Sequence, residues 1–124
     1  MMKTIRIIKN RSDVGAGTRG SDMGIDAIEI AAINQENAFF NNYKFEDVNT
    51  ENESVYNRVN NSFAKRIDSV LHQCERLANH VKVNLQENRF PIVISGDHSS
   101  ALGTISGVKA AFPTKRVGVV WIDA

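Results

Sequence analysis

The sequence predicts an α/β fold in which helices cover both faces of a parallel sheet, the three-layer α/β/α arrangement. Short β-branched or apolar runs alternate with helix-like patterns along the chain, which is typical of this class. Residues 90–124 give the clearest case. They predict an apolar strand at Ile92–Ile94, a polar turn, a small-residue helix at Ser100–Ala111 and a second apolar strand at Val117–Ile122. Strands joined by such a helix run parallel in one sheet.

Composition excludes several classes of protein. The chain has 124 residues, enough for one small domain, with 42% apolar residues and a net charge of +1. Its charges are scattered, so we expect no nucleic-acid partner and no anionic membrane surface. The single cysteine, Cys74, excludes an internal disulfide and fits a reducing compartment. With no signal-peptide pattern and no run long enough to cross a bilayer, the sequence predicts a cytoplasmic protein.

The first fifty residues predict two strands and a helix. A β-branched run at Thr4–Ile8 predicts the first strand, and the Gly- and Ser-rich residues 10–24 predict a loop. Residues 25–33 predict a helix with Ile25, Ile28, Ala32 and Ile33 on one apolar face. Alternation between residues 43 and 48 indicates a weak second strand at an edge of the sheet.

The loop contains a literal G-x-G-x-x-G pattern at residues 15–20. In a dinucleotide-binding unit the first glycine follows the strand directly and the third lies in the opening helix. Here polar residues separate the strand from the first glycine, and residues 21–24 delay the helix. The spacing therefore favours a structured surface loop that lines the mouth of a site. A nucleotide-binding α/β domain stays as an alternative that requires dinucleotide binding.

Residues 54–87 predict one long helix, with Ser54 as its N-cap. Apolar residues recur there at three- and four-residue spacing, which favours a helix lying across the sheet over a seam with a partner helix. The residues of this stripe are Val55, Val59, Phe63, Ile67, Val70, Leu71, Cys74, Leu77, Val81 and Leu85. Cys74 lies on the stripe and is expected to be a buried structural thiol. His72 and His80 lie off its centre and are expected at the surface.

The stretch from the third strand onward carries the polar residues of interest. Gly96 permits a sharp turn after the strand, and Asp97 or Ser99 can cap the helix that follows. The many small residues of that helix are expected to let it pack close to the sheet. The nearly continuous apolar run Val117–Ile122 is typical of a strand buried on both faces in the middle of a parallel sheet.

His98 and Asp123 each follow a predicted strand directly. Carboxyl ends of parallel strands meet at one edge of the sheet, where ligands bind in open α/β folds. A histidine and a carboxylate at that edge suit a divalent metal ion. On the residues alone two simpler interpretations stay open: His98 as a hydrogen-bonded turn residue, and Asp123 as the cap of a following helix.

Two motifs in order, PIVISGDHS at residues 91–99 and VVWIDA at residues 119–124, resemble the ureohydrolase family of arginase, agmatinase and formimidoylglutamase. In that family a Gly-Gly-Asp-His-Ser turn supplies the first manganese-binding histidine, which His98 matches. An Asp-Ala-His-x-Asp motif supplies further ligands, and Asp123 matches its first aspartate, which bridges both metals. The Gly-rich residues 15–24 also resemble the amino-terminal segment of the family. The departures are Ser95, where the family usually has Gly, and Ile25, where it often has Pro.

The resemblance implies a dimanganese hydrolase of a guanidinium-type C–N bond, with arginine, agmatine or formimidoylglutamate as the substrate class. Two cations lower the pKa of a shared water and so generate a nucleophile near neutral pH. His98 and Asp123 are the metal ligands it implies here, and it identifies no catalytic residue with certainty. The chain matches only the amino-terminal portion of the family. We therefore expect residues 1–124 to be a truncated arginase-like domain that ends inside the Asp-Ala-His-x-Asp motif.

Two consequences follow from this expectation. The remaining manganese ligands are expected beyond residue 124, so this chain alone should be inactive and bind manganese weakly. The family's sheet places its later strands between the third and fourth, so the apolar strand Val117–Ile122 would expose its edges. That predicts self-association or a homo-oligomer through the exposed sheet. The alternative is a non-catalytic remnant that acts as an assembly or binding module.

Overall fold

The computed structural model describes residues 3–59 and 62–123. Its sheet is parallel, as the sequence predicts, and its strand order is β2–β1–β3. The strands are β1 (Thr4–Asn10), β2 (Lys44–Asp47) and β3 (Arg89–Ser95). The helices are α1 (Gly24–Asn34), α2 (Phe39–Asn42), α3 (Ile67–Gln86) and α4 (Ser100–Ala111), with short 3₁₀ helices at Ser21–Met23 and Asn52–Tyr56.

Helices cover both faces of the sheet, which confirms the three-layer prediction. Ile7 and Ile8 are both fully buried, and successive residues of a strand point to opposite faces. Ile8 packs in the main apolar cluster with Leu77 of α3. On the opposite face, where Ile7 lies, the Lys9 ammonium forms an ion pair with Glu29 of α1. The α1 helix therefore forms one outer layer, and α3 with α4 forms the other.

The small residues of α4 bring it close to α3, whereas the sequence analysis expected close packing on the sheet. A Cβ atom added at Gly103 would lie 2.8 Å from the carbonyl oxygen of Cys74, and one at Gly107 would lie 2.6 Å from that of Ala78. No side chain fits at either glycine without moving the helices apart. The Cys74 thiol is buried at this contact, as predicted, and burial raises its pKa.

The long helix is shorter than predicted at its amino-terminal end. It begins at Ile67 because Arg66 has a left-handed backbone conformation, with φ of 55°, which an α-helix does not continue through. The predicted N-cap, Ser54, lies instead in a 3₁₀ helix, and the Phe63 side chain is 100% exposed. Asn-rich residues between 57 and 62 disfavour helix despite the apolar spacing. Residues 60 and 61 of the predicted helix lie outside the described residues.

Most other predicted elements are present. The first strand extends two residues further than expected, to Asn10, and α1 and α4 have nearly the expected bounds. The second strand, β2, is an edge strand paired with β1, as predicted. The expected apolar face of α1 is only partly buried: Ile25 is enclosed, but Ile28 and Ile33 are exposed. No helix in the described part of the chain is long and apolar enough to cross a membrane.

The predicted buried strand at Val117–Ile122 is wrong for this structure. These residues carry no strand assignment and are largely exposed, with Val120 at 89% and Ile122 at 92%. A strand requires a neighbour whose backbone groups pair with its own. In the described part of the chain this apolar run pairs with none of the three strands β1, β2 and β3. The apolar composition of residues 117–122 is therefore not sufficient to make them a strand of the sheet.

Candidate metal centre

The carboxyl ends of β1 and β3 meet at one edge of the sheet. The two strands are parallel, with Asn10 paired to Ser95 at their last positions. The loop at residues 11–23 and the turn at residues 96–99 therefore leave the sheet side by side. We call this the metal edge, because it carries His98 and lies where α/β folds bind ligands.

A buried hydrogen-bond network lies directly beneath the metal edge. The Asn10 side-chain amide donates to the Ser95 hydroxyl at 2.9 Å and to the Ser100 hydroxyl at 2.8 Å. Gln73 of α3 donates to the Asn10 side-chain oxygen. The network ties both ends of the 96–99 turn to β1 and α3. Ser95, which departs from the usual family residue, belongs to this network, and the sequence analysis did not predict that role.

The glycine-rich loop packs against the turn that carries His98. The backbone N–H of Gly15 donates to Asp97 Oδ2 at 3.1 Å. A Cβ atom at Gly15 would lie 2.5 Å from Ser99 Oγ and 2.6 Å from Asp97 Oδ1. On the other side of the turn, a Cβ atom at Gly96 would lie 2.5 Å from the carbonyl oxygen of Ser12. The loop and the turn thus meet at two points where only glycine fits.

Asp13 fixes the shape of this loop. Its carboxylate is fully buried and accepts hydrogen bonds from Ser21 Oγ, from Arg19 Nε and from the backbone N–H groups of Gly20 and Asp22. Burial alone would raise the pKa of Asp13, but these hydrogen bonds outweigh it and lower the pKa from 3.8 to about 2. The carboxylate therefore stays charged and organises the loop throughout the ordinary pH range.

Each glycine of the G-x-G-x-x-G pattern has a structural reason. Gly15 makes the close contact with the turn, while Gly17 and Gly20 have positive φ angles of 69° and 127°. Such angles favour glycine in a tight loop. The loop is therefore structured and lines the metal edge, as predicted, and none of its glycines requires a bound phosphate.

His98 and Asp123 come together at the metal edge. His98 Nε2 lies 3.7 Å from Asp123 Oδ1, with the two side chains 79% and 63% exposed. Two donor atoms bound about 2.1 Å from one octahedral ion lie roughly 3 Å apart, so a small movement would let both reach the same ion. The chemistry of the pair fits manganese, because imidazole nitrogen and carboxylate oxygen both suit it.

The segment before Asp123 keeps the alternation of a strand although it is not paired in the sheet. Trp121 and Asp123 both contact His98 at the metal edge, whereas Val120 and Ile122 between and beside them point to solvent. The Trp121 ring stacks on the His98 ring, with centroids 5.8 Å apart. The sequence analysis missed this contact. The two-residue spacing between Trp121 and Asp123 was the sequence feature that could have predicted it, because residues two apart in an extended segment lie on the same side.

An apolar groove of about 440 Å³ runs from the metal edge along the free edge of β3. Its floor and walls come from β3, α4 and the segment that contains Trp121. The apolar lining includes Val93, Ile105, Val108, Val119 and Trp121. Asp97 and His98 lie at its polar end, so the groove opens onto the metal edge.

The other histidines pair with glutamates away from the metal edge. His80 Nδ1 lies 2.7 Å from Glu46 Oε2, and His72 Nδ1 lies 3.3 Å from Glu51 Oε1. Burial alone would raise the pKa of Glu46, but hydrogen bonds from His80 and Asn84 lower it. His72 is exposed as expected, whereas His80 is half-buried between β2 and α3. In residues 3–59 and 62–123 no three or more His, Cys, Asp or Glu side chains form a metal cluster.

Comparison with known proteins gives a consistent result. A model described as the arginase family matches residues 3–124. The arginase of Bacillus subtilis strain 168 is 36% identical over 124 residues, and that of Brevibacillus brevis is 38% identical over 126 residues. Each alignment covers 100% of this chain and 41% of the relative. The chain thus spans about two fifths of the length of these curated relatives and matches their amino-terminal portion.

Solved structures of arginases are similar to this chain in fold and also in sequence. The native structure of arginase from Bacillus caldovelox aligns with a TM-score of 0.64 and 34% identity, covering 86% of this chain and 36% of that one. A crystal structure of arginase from Bacillus subtilis aligns with a TM-score of 0.62 and 34% identity, covering 86% and 33% of the two chains. The parallel sheet and its helices are therefore arginase-like in arrangement.

Proposed function

The chain belongs to the arginase family, and from that membership we propose that it supplies one part of the metal centre of a manganese-dependent ureohydrolase. In this proposal His98 and Asp123 are the residues of this chain that would hold manganese. The observation that carries it is the 3.7 Å approach of His98 Nε2 to Asp123 Oδ1 at the carboxyl edge of a parallel sheet. The proposed reaction class is hydrolysis of a guanidinium-type C–N bond, in a substrate such as arginine, agmatine or formimidoylglutamate.

Manganese bound at such a centre would supply activation of a water molecule. The residues of this chain would bind the metal ion and orient its ligands. His98 offers an imidazole nitrogen on a turn that Asn10 and Gly15 hold from below and from one side. Trp121 stacks on the His98 ring. Asp123 offers a carboxylate oxygen from the opposite side of the same edge.

These 124 residues alone are proposed to be inactive. Two side chains hold a divalent ion that favours octahedral coordination only weakly, because most of its ligand positions stay filled by water. The test is to incubate the purified chain with manganese chloride and either arginine or agmatine, and to measure urea. We expect no rate above that of His98→Ala. A rate that depends on His98 would contradict the proposed inactivity and would support the reaction class directly.

A second proposed property is self-association through the exposed sheet. The apolar groove follows the free edge of β3, and Val120 and Ile122 are almost fully exposed beside it. Exposed apolar surface next to an unpaired strand edge favours association with another copy of the chain. Sedimentation velocity tests this. We expect species heavier than 13.8 kDa that shift toward the monomer in Val120→Asp, and a monomer at all concentrations would contradict it.

The assembly-module alternative rests on the same surface. It differs from the hydrolase proposal in what His98 does, since an assembly role does not require this side chain. If His98→Ala leaves manganese binding unchanged while Val120→Asp abolishes association, the assembly module becomes the better description of this chain.

A further inference from the structure

The turn that carries His98 is held at both ends by the same residue. Asn10 donates to Ser95 at the start of the turn and to Ser100 at its end. Asn10 is fully buried and Ser100 is nearly so, so the hydrogen bond between them is shielded from water. His98, by contrast, has a largely exposed side chain in the middle of the turn. The position of the His98 side chain therefore depends on the contacts that hold the middle of the 96–99 turn.

The middle of the turn is held by Gly15 through Asp97. Asp97 Oδ2 accepts the Gly15 N–H at 3.1 Å, and Asp97 Oδ1 accepts the Ser99 N–H at 2.9 Å and the Ser99 hydroxyl. One carboxylate thus joins the glycine-rich loop to the residues on both sides of His98. A Cβ atom at Gly15 would come within 2.5 to 2.7 Å of Ser99 and Asp97 atoms, distances that real Cβ atoms do not show.

The loop that contains Gly15 is held in its conformation by buried hydrogen bonds. Asp13, two residues earlier, is fully buried and accepts four hydrogen bonds that fix the loop. On the other side, Gly96 packs against the backbone oxygen of Ser12 with no room for a side chain. A side chain at Gly15 would therefore move the turn rather than the loop.

We propose that the contact between Gly15 and Asp97 is a positioning element that sets where His98 presents its imidazole to a metal ion. This inference rests on the proposed function, since it takes His98 as a manganese ligand. Gly15 and Asp97 are positioning residues and not ligands in this role. Residues that orient a metal ligand typically change metal affinity roughly 10- to 100-fold when they are altered.

The test measures manganese at His98 directly, without an activity assay. In the ¹H NMR spectrum the imidazole signals of three histidines are counted, and His98→Ala identifies the one from His98. Titration with manganese chloride broadens the signals of rings close to the ion. We expect the His98 signal to broaden first in the unaltered chain, and Gly15→Ala to require roughly 10-fold more manganese for the same broadening.

Gly24→Ala is the matched control. It adds the same methyl group to a nearby glycine, where nothing lies within 4 Å of the new Cβ atom and φ is −59°. Its broadening curve should superimpose on that of the unaltered chain. Gly15 has no left-handed φ, so alanine can adopt its backbone and the change isolates the steric contact. Urea unfolding of each variant separates lost folding from lost positioning.

Asp97→Glu decides the question if Gly15→Ala does not fold. It keeps the negative charge beside His98 but moves the carboxylate away from the Gly15 and Ser99 N–H groups. The inference predicts weakened broadening of the His98 signal in this variant too. If both folded variants broaden like the unaltered chain, the positioning inference is overturned and the proposed metal role of His98 survives. If the unaltered chain shows no broadening at His98, both proposals fall together.

Discussion

Replacement of Asp13 by asparagine should destabilise the protein by about 2 to 3 kcal/mol at pH 7, as two separate estimates indicate. In the native loop, Oδ1 accepts from Ser21 at 2.6 Å and from the Asp22 N–H at 2.7 Å, and Oδ2 accepts from Arg19 at 3.0 Å and Gly20 at 3.1 Å. An amide has one oxygen, so at least one backbone N–H faces a donor instead. Leaving one such group unsatisfied costs about 1 to 3 kcal/mol, and the ion pair with Arg19 is weakened as well.

The pKa of Asp13 gives the second estimate. It falls from an ordinary value of 3.8 to about 2, and at about 1.4 kcal/mol per pH unit a fall of that size corresponds to about 2 to 3 kcal/mol. Since the folded pKa is depressed, this stabilisation is present above about pH 4 and is lost as the pH falls from 4 through 2. The difference in unfolding free energy between the unaltered chain and Asp13→Asn should therefore shrink over that window.

Urea unfolding followed by far-UV circular dichroism, at pH 7 and at steps down to pH 2.5, measures both effects. Asp26→Asn is the matched control, because Asp26 is exposed and forms an ion pair with Arg11 at 2.9 Å. Exposed pairs contribute about 0 to 1 kcal/mol. An Asp13→Asn variant as stable as the control, or a difference that does not change with pH, would refute the reasoning.

Two further predictions concern packing and acid sensitivity. Gly107→Ala should destabilise by about 1 to 2 kcal/mol, because the 2.6 Å approach to the Ala78 oxygen forces α3 and α4 apart and outweighs the helix propensity gained. Thermal melting measures it, and a variant as stable as Gly24→Ala would contradict it. Glu46→Gln should remove part of the acid sensitivity of the fold, since its hydrogen bonds with His80 and Asn84 lower the pKa of Glu46 below 4.5. That contribution is present above about pH 4.5 and lost as the pH falls. Unfolding curves of Glu46→Gln and of the unaltered chain at pH 3.5 and pH 6 check this prediction. If the substitution lowered the free energy of unfolding equally at both pH values, the prediction would be contradicted.

Elements bounded by strong local signals could be predicted from the sequence. The bounds of α4 follow from the polar residues before Ser100 and from Pro113 after its end. β1 and β3 follow from short β-branched runs, and their parallel order follows from the connections between them. For the existence and bounds of these elements, the residues that decide the structure lie within a few positions of the element.

The amino-terminal end of α3 could not be predicted from spacing. Val55, Val59 and Phe63 match the helical period, but the left-handed conformation of Arg66 separates them from the helix. The prediction of a strand at Val117–Ile122 was wrong for a different reason. Its composition fits a buried strand, yet a strand forms only where another backbone pairs with it, and composition does not show whether that neighbour exists.

The approach of His98 to Asp123 was predictable from the sequence, whereas the contacts that support the two residues were not. The sequence analysis expected both at one edge because each follows a predicted strand. The two side chains do meet there, although residues 117–122 are not paired in the described sheet. Their supporting contacts join Asn10 to Ser95 across 85 positions and Gly15 to Asp97 across 82. No local pattern connects residues so far apart, so these contacts become visible only when the chain is folded.

Manganese binding by the purified chain tests the central claim most directly, with free Mn²⁺ measured by electron paramagnetic resonance during a titration. The account predicts a weak site that is lost in His98→Ala and in Asp123→Ala and retained in His72→Ala, whose histidine pairs with Glu51 away from the metal edge. Binding that is unchanged in both His98→Ala and Asp123→Ala would contradict the claim that this edge of the sheet is a metal centre.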